Sequence, residues 1–179
     1  RPFFLAVGLR SVHIPYHYPP RFGDLYPPVE QIAVATHPLM DASQPLLGWY
    51  DQQMFVGGYK DVHASGALAR GRAMNTTQQQ IVRRNYYAAT SYSDAQLGRL
   101  LDALDEHGVA NSTLVVCFGD HGQQLGEHNL WEKMSVFEAA TRVPLVVRAP
   151  WVNGSAGRAV FDVVELVSLY RSLAELSGV

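Results

Sequence analysis

Gly119-Asp120-His121-Gly122 sets a carboxylate and an imidazole on consecutive residues between two glycines. On a tight turn both side chains can reach one metal ion, the carboxylate supplying charge and hard oxygen donors and the imidazole one nitrogen. The glycines let the backbone bend and let a substrate approach closely. The same four residues also suit a turn that ends a strand and whose Asp caps the next segment, and the pair alone does not decide between the two. The adjoining segment, Gln123 to Lys133, is polar, glycine-bearing and rich in titratable groups. Lys133 can reach back over a metal as a point charge for an anionic substrate oxygen; its plainer reading is a solvated loop residue. His128 reads first as structural and second as a substrate contact. His13 lies between Val12 and Ile14, with Pro15 stiffening the turn. Beside a leaving oxygen its imidazole can donate a proton or a hydrogen bond near neutral pH, although a lone histidine in an apolar setting is more often a satisfied structural residue.

The elements that must position these residues alternate between strand and helix. Phe3-Phe4-Leu5-Ala6-Val7 is an apolar run that predicts a buried strand, with His13 just beyond it. Pro19, Pro20, Pro27 and Pro28 keep the next stretch extended and irregular. Residues 29 to 77 carry almost no periodic signal, and Pro38, Pro45 and Gly57-Gly58 predict a long surface excursion. Thr77-Gln78-Gln79-Gln80 is a capping-box pattern that opens a long amphipathic helix. That helix is predicted to run to His107, with Ile81, Ala88, Tyr92, Ala95, Leu100, Leu101 and Leu104 near one face and a left-handed Gly108 at its end. Strands are predicted over Thr113 to Phe118 and over Leu145-Val146-Val147, with a last helix from Asp162, where Glu165 gives a second capping signal. The order predicts an α/β domain with a largely parallel or mixed sheet flanked by helices. Ligands of such sheets bind outside the carboxyl ends of the strands, which is where Asp120 and His121 fall.

Composition bounds the function. A chain of 179 residues suits one domain or a large piece of one, and 47% hydrophobic residues with 17% charged suffice for a packed core. A formal net charge of −2 argues against a nucleic-acid or anionic-membrane binder, since either needs a basic stripe. No apolar run approaches a membrane span. Cys117, the single cysteine, cannot form an internal disulfide and reads as a buried structural thiol. Of the five asparagines, Asn75, Asn111 and Asn153 open Asn-x-Ser/Thr acceptors in expected loops, which would imply a secretory route if glycosylated; chance is the alternative. The chain starts at Arg1 without Met and enters an apolar strand at once, so residues 1–179 are expected to be a fragment of a single domain lacking its N-terminal part.

Taken in order, these motifs resemble the sulfatase family of the alkaline phosphatase superfamily. The resemblance is carried by Arg1-Pro2-Phe3-Phe4-Leu5-Ala6-Val7-Gly8 with His13-Ile14-Pro15, then by Leu97-Gly98-Arg99-Leu100-Leu101-Asp102-Ala103-Leu104. It continues through Asn111-Ser112-Thr113, Gly119-Asp120-His121-Gly122, Leu125-Gly126-Glu127-His128, Trp131-Glu132-Lys133, Arg142-Val143-Pro144-Leu145 and Asp162-Val163-Val164-Glu165-Leu166-Val167. Within the family the likeness is greatest to the iduronate-2-sulfatase branch, judged by His13-Ile14-Pro15 and the Tyr- and Pro-rich stretch after it. The resemblance implies a calcium ion held partly by Asp120 and His121, with Lys133 and His13 facing the sulfate. It also implies two further aspartates and a formylglycine nucleophile, made by the formylglycine-generating enzyme from a Cys-x-Pro/Ala-x-Arg motif. Neither is present in these residues, and Cys117-Phe118-Gly119-Asp120 is not that motif. The implied substrate is a sulfated sugar, or else a small sulfate ester such as choline sulfate, and the implied location is lysosomal or secreted. Ser11-Val12, where relatives tend to have Lys-Pro, and Gln123, where an aromatic is expected, are departures that bear on the sugar more than on the reaction.

Two rival readings stay open on the sequence. A phosphatase or phosphodiesterase of the same superfamily also carries Asp-His pairs at strand ends, usually with two zinc ions and a Ser or Thr nucleophile. A non-catalytic remnant would expose the Phe3-to-Val7 strand and aggregate.

Overall fold

The computed structural model describes residues 2–50, 59–60 and 73–179. Arg1, and residues 51–58 and 61–72 of the expected excursion with Gly57-Gly58 among them, lie outside the described residues. The chain divides into two compact units, residues 1–98 with 121–142 and residues 99–120 with 143–179.

The first unit is organised along a helix. After the short helix α1 (Pro20–Gly23) comes α2 (Thr76–Glu106), 31 residues long. Asn75 starts it: its Oδ1 accepts the Gln78 backbone N–H at 2.9 Å, and its Nδ2 donates to Gln78 Oε1 at 2.9 Å. The cap therefore lies two residues before the expected Thr77-Gln80 box: the Asn75 oxygen takes a first-turn backbone N–H, and its amide is held by the Gln78 side chain. Gln80 instead donates to the carbonyls of Glu30 and Ile32. At the other end Gly108 has φ 66, its N–H bonds Asp105 O at 3.0 Å, and the Val109 N–H reaches Leu104 O at 2.9 Å. This is the double closure that a left-handed glycine permits, as expected.

The proline-rich stretch after His13 is strapped to α2 by polar contacts. Tyr18 Oη donates to Asn85 Oδ1 at 2.6 Å, Tyr26 Oη donates to the Tyr87 carbonyl at 3.0 Å, and Arg84 donates to the carbonyls of Gly23 and Pro27. Phe22 packs edge-on against Tyr92 at 5.2 Å. The buried positions of α2 are Gln79, Val82, Ala88 and Ala89, so of the expected apolar face only Ala88 is fully covered. Two short strands, β2 (Gln124–Leu125) and β3 (Trp131–Glu132), pair antiparallel and complete the core, in which Met74, Val82, Leu125 and Trp131 cluster with Ile14, Tyr16, Tyr59, Tyr86 and Tyr87 packed around them. The short helix α3 (Glu138–Thr141) comes next.

In the second unit β1 (Val115–Phe118) pairs antiparallel with β4 (Leu145–Arg148). Both strands were expected, and the two ladders among the described residues are antiparallel, which the mixed sheet of the expectation admits. Apolar runs locate strands without specifying direction, and the loop-rich connection between β1 and β4 is long enough for either. The final helix α4 (Leu169–Ser177) begins after a single 3-10 turn at Leu166–Ser168, so Asp162 and Glu165 do not cap it. Cys117 is half-buried instead of buried, since β4 is exposed along its length. Phe3 to Val7, in the first unit, makes no ladder among the described residues and stays exposed, Phe4 at 89%. A strand needs a hydrogen-bonding neighbour as well as apolar residues, and that run has none here. No described helix is long and apolar enough to cross a membrane.

Asn75→Ala in the full-length protein is expected to lower the unfolding free energy by about 1 kcal/mol, seen as a lower urea midpoint, while Asn75→Asp loses less. An Ala variant as stable as the parent would show that α2 does not depend on this cap.

Candidate active site

His13 is set by a turn in which its N–H bonds Arg10 O at 2.9 Å. Its Nδ1 lies 2.7 Å from Ile14 O, and because the carbonyl accepts, Nδ1–H is the donor and Nε2 is the nitrogen left for chemistry. The ring is exposed and lines a groove with Arg10, Ser11, Ile14, Pro15 and His17. Ile14 and Tyr16, on either side of a cis Ile14–Pro15 peptide, pack on the cluster that contains Trp131. The apolar residues around His13 thus fix the backbone and leave the ring outside.

Lys133 directly follows β3 and is half-buried. Between it and Trp131 lies Glu132, which is 7% exposed and has φ 73. Burial raises the Glu132 carboxyl above the ordinary carboxylate range, and Lys133 and then His13 oppose that rise. Burial also pushes the Tyr50 phenol up, with the Glu132 charge adding to it. The Tyr16 phenol is raised by burial, then by Tyr59 and Tyr86, then by Glu132. The Tyr50 hydroxyl donates to the Trp131 carbonyl.

His128 is built differently. Its φ of 57 is left-handed, its N–H bonds His37 O at 2.7 Å, and its ring stacks on Phe137 with centroids 4.4 Å apart. It lines a second groove with Thr36, His37, Pro38, Met40 and Asp41, distinct from the groove of His13.

Asp120 is exposed, two residues past the end of β1, where the Gly119 N–H closes on Pro144 O at 3.2 Å. His121, the next residue, is half-buried, and its Nδ1 lies 2.8 Å from Gly122 O. Donation from Nδ1–H to that carbonyl puts the lone pair of the neutral ring on Nε2, the arrangement usual for a histidine that binds a metal. Gly122 is required by space: its N–H bonds Ala140 O at 2.8 Å, and a Cβ there would run into the Ala139 carbonyl, with Arg142 O 3.0 Å away. A carboxylate and an imidazole fit part of a cation's shell, whereas calcium takes about six to eight ligands, mostly oxygen. No group of three or more His, Cys, Asp or Glu comes together among the described residues, so further donors are needed.

Glu132 is a buried residue beside Lys133 that sequence reasoning passes over. A short strand carries too little periodicity to separate a buried Glu132 from a solvated one. The one available signal is its place between a tryptophan and a candidate sulfate-facing lysine.

The sulfatase family model matches residues 1–179, and the chain belongs to the sulfatase family. Its relatives include iduronate 2-sulfatase of Homo sapiens, 38% identical over 200 residues that cover 99% of this chain and 36% of that protein. Choline-sulfatase of Rhizobium meliloti is 32% identical over 184 residues, covering 100% of this chain and 32% of its own. The chain therefore spans about a third of the length of these curated relatives. Among solved structures, a phosphonate monoester hydrolase from Silicibacter pomeroyi aligns with a TM-score of 0.56 over 84% of this chain and 30% of that one. At 24% identity that likeness shows the fold alone, the α/β class expected from the sequence.

Gly122→Ala is expected to destabilise the full-length protein by about 1–3 kcal/mol, because the methyl group has no room beside α3. Thermal unfolding checks this, and an unchanged midpoint would mean that the turn at His121 adapts freely.

Proposed function

We propose that the protein to which these residues belong hydrolyses sulfate esters, with a sulfated sugar as the substrate class. The observation that carries this reading is the family match along the whole chain. The placement of Lys133 directly after the buried β3, with the His13 turn packed through Ile14 and Tyr16 on the cluster that holds Trp131, supports it.

In this reading Lys133 holds a sulfuryl oxygen by charge, its half-buried stem limiting how far the ammonium can wander. His13, with Nδ1 occupied by Ile14 O, presents Nε2 to the ester oxygen and gives it a proton or hydrogen bond as the alcohol departs. Asp120 and His121 would hold a calcium ion together with donors from outside these residues. When bound, such an ion draws charge from the sulfuryl oxygens and makes sulfur easier to attack. The nucleophile of this reading is a formylglycine outside the 179 residues, which would make the formylglycine-generating enzyme a partner of the whole protein. His128 is retained as a sugar contact from its own groove. The likeness to choline-sulfatase supports a small sulfate ester as the second substrate reading.

The test is release of sulfate by the full-length protein from an iduronate-2-sulfate disaccharide, choline sulfate and a matched phosphate monoester. Sulfate release that fails on calcium chelation is expected, and faster phosphate release would overturn the reading in favour of a phosphatase. His13→Ala is expected to lower kcat about 10²–10⁴-fold on a sugar sulfate, and much less on an aryl sulfate whose phenolate leaves without help.

A secretory or lysosomal location completes the proposal. Asn111 and Asn153 are exposed in turns, whereas the Asn75 amide is engaged in capping α2. Mass spectrometry of protein from a secreting host is expected to find glycan at Asn111 and Asn153, with lower occupancy at Asn75. Three unmodified sites would remove this support for the secretory route.

A further inference from the structure

The turn that sets His13 also carries Arg10. The His13 N–H donates to the Arg10 carbonyl at 2.9 Å, so the two residues stand close together at the ends of one hydrogen-bonded turn. Beyond it exposure alternates along the chain: His13, Pro15 and His17 are exposed, whereas Ile14, Tyr16 and Tyr18 are half-buried. Ile14 and Tyr16 pack on the cluster of Met74, Val82, Leu125 and Trp131, and Tyr18 bonds Asn85 of α2 at 2.6 Å. The inward residues anchor the segment. The outward ones, with Arg10 and Ser11, line a single groove.

The chemistry of that groove is one-sided. A guanidinium and two imidazoles line it and no carboxylate does, since Glu132 is buried and is not among the lining residues. Composition does not dictate this, because the chain carries 14 Lys and Arg against 16 Asp and Glu. Arg83, Arg142 and Arg171 each pair with a glutamate. Arg10, by contrast, is exposed and forms no ion pair with a described residue. Its guanidinium is charged at every physiological pH, and the planar fork of donors matches an oxyanion that offers two oxygens side by side.

We propose that Arg10 is a substrate-specificity residue, its guanidinium binding a second oxyanion, a carboxylate or another sulfate, on the alcohol half of the substrate. This deepens the sulfatase reading above and rests on it. In that reading His13 meets the leaving oxygen, so the alcohol half enters the groove that His13 shares with Arg10. The same guanidinium repels a quaternary ammonium. The groove therefore separates the two substrate readings, favouring an acidic sugar sulfate and disfavouring choline sulfate.

The experiment measures sulfate release by the full-length protein and by its Arg10→Gln, Arg10→Lys and Arg10→Glu variants. The substrates are an iduronate-2-sulfate disaccharide, the same disaccharide with the iduronate carboxyl reduced to an alcohol, a neutral sugar carrying two sulfates, and choline sulfate. Arg10→Gln is expected to raise KM for the acidic disaccharide about 10–100-fold, as for loss of a hydrogen bond between charged groups, with kcat changed far less. The carboxyl-reduced disaccharide lacks the group that Arg10 reads and should lose far less, so the preference for the acidic substrate collapses. Arg10→Lys should keep part of that preference, since it retains the charge without the fork. Arg10→Glu should shift it toward choline sulfate. A loss confined to the disulfated sugar would also support the proposal and would assign the oxyanion as sulfate. An equal loss on all substrates would overturn this inference alone, as would no loss on either the acidic disaccharide or the disulfated sugar, or a wild-type protein that prefers choline sulfate. A wild-type protein that releases sulfate from none of them would overturn the functional reading and this inference with it.

Discussion

The burial of Trp131 is the constraint on which the first unit depends. It is 1% exposed and belongs to a strand of only two residues, so the strand is held by its side chain more than by its ladder. Around it meet Met74 just before α2, Val82 from α2, Leu125 from β2, and Ile14 and Tyr16 from the turn that carries His13. Filling such a site with a large aromatic contributes on the order of 3–5 kcal/mol, as judged by the usual cost of truncating one. That is a large share of the stability of a small domain. The same contacts fix the side chains that flank the core. Ile14 cannot pack inward without His13 reaching the surface one residue earlier, and Trp131 cannot do so without Glu132 and Lys133 being carried along.

The strain in the structure collects in this segment. His128, Asn129 and Glu132 are the non-glycine residues with positive φ among the described residues, and all three lie within five consecutive positions. Backbone of this kind persists where its surroundings over-determine it. Here Asn129 and Leu130 are at most 1% exposed, His128 stacks on Phe137 while its N–H is bound by His37, and the Gly126 N–H returns to Leu130 O at 2.9 Å. A relaxed loop could present a lysine, but it would not bury a carboxylate beside it.

Much of the framework is legible in the sequence. The long helix and its glycine stop follow from apolar spacing and from a residue type suited to a left-handed end, and β1 and β4 follow from apolar runs bounded by glycine and proline. The start of α2 is displaced by two residues because Asn75-Gln78 and Thr77-Gln80 both satisfy the capping pattern, and only tertiary contact diverts Gln80 to Glu30 and Ile32. Phe3 to Val7 departs from expectation because hydrophobicity names a strand but not its neighbour. At the site, Asp120, His121, Lys133 and His13 stand out through residue types that advertise chemistry. Glu132 does not, since its significance lies in burial and backbone conformation, which leave no trace in a two-residue strand.

A buried carboxylate at this place also bears on which anion the site prefers. A sulfate monoester carries one negative charge, whereas a phosphate monoester near neutral pH carries close to two. In the proposed reading Lys133 attracts either, and a cation alone would favour the more highly charged ester. A buried carboxylate such as Glu132, next to Lys133 in the chain, would repel such a ligand more with each charge added. Selectivity is a difference between affinities, and a fixed like charge lowers the competitor's affinity more than the substrate's. In the proposed reading, discrimination falls to the charges around the reacting group, and a carboxylate beside Lys133 would be one that opposes a dianion.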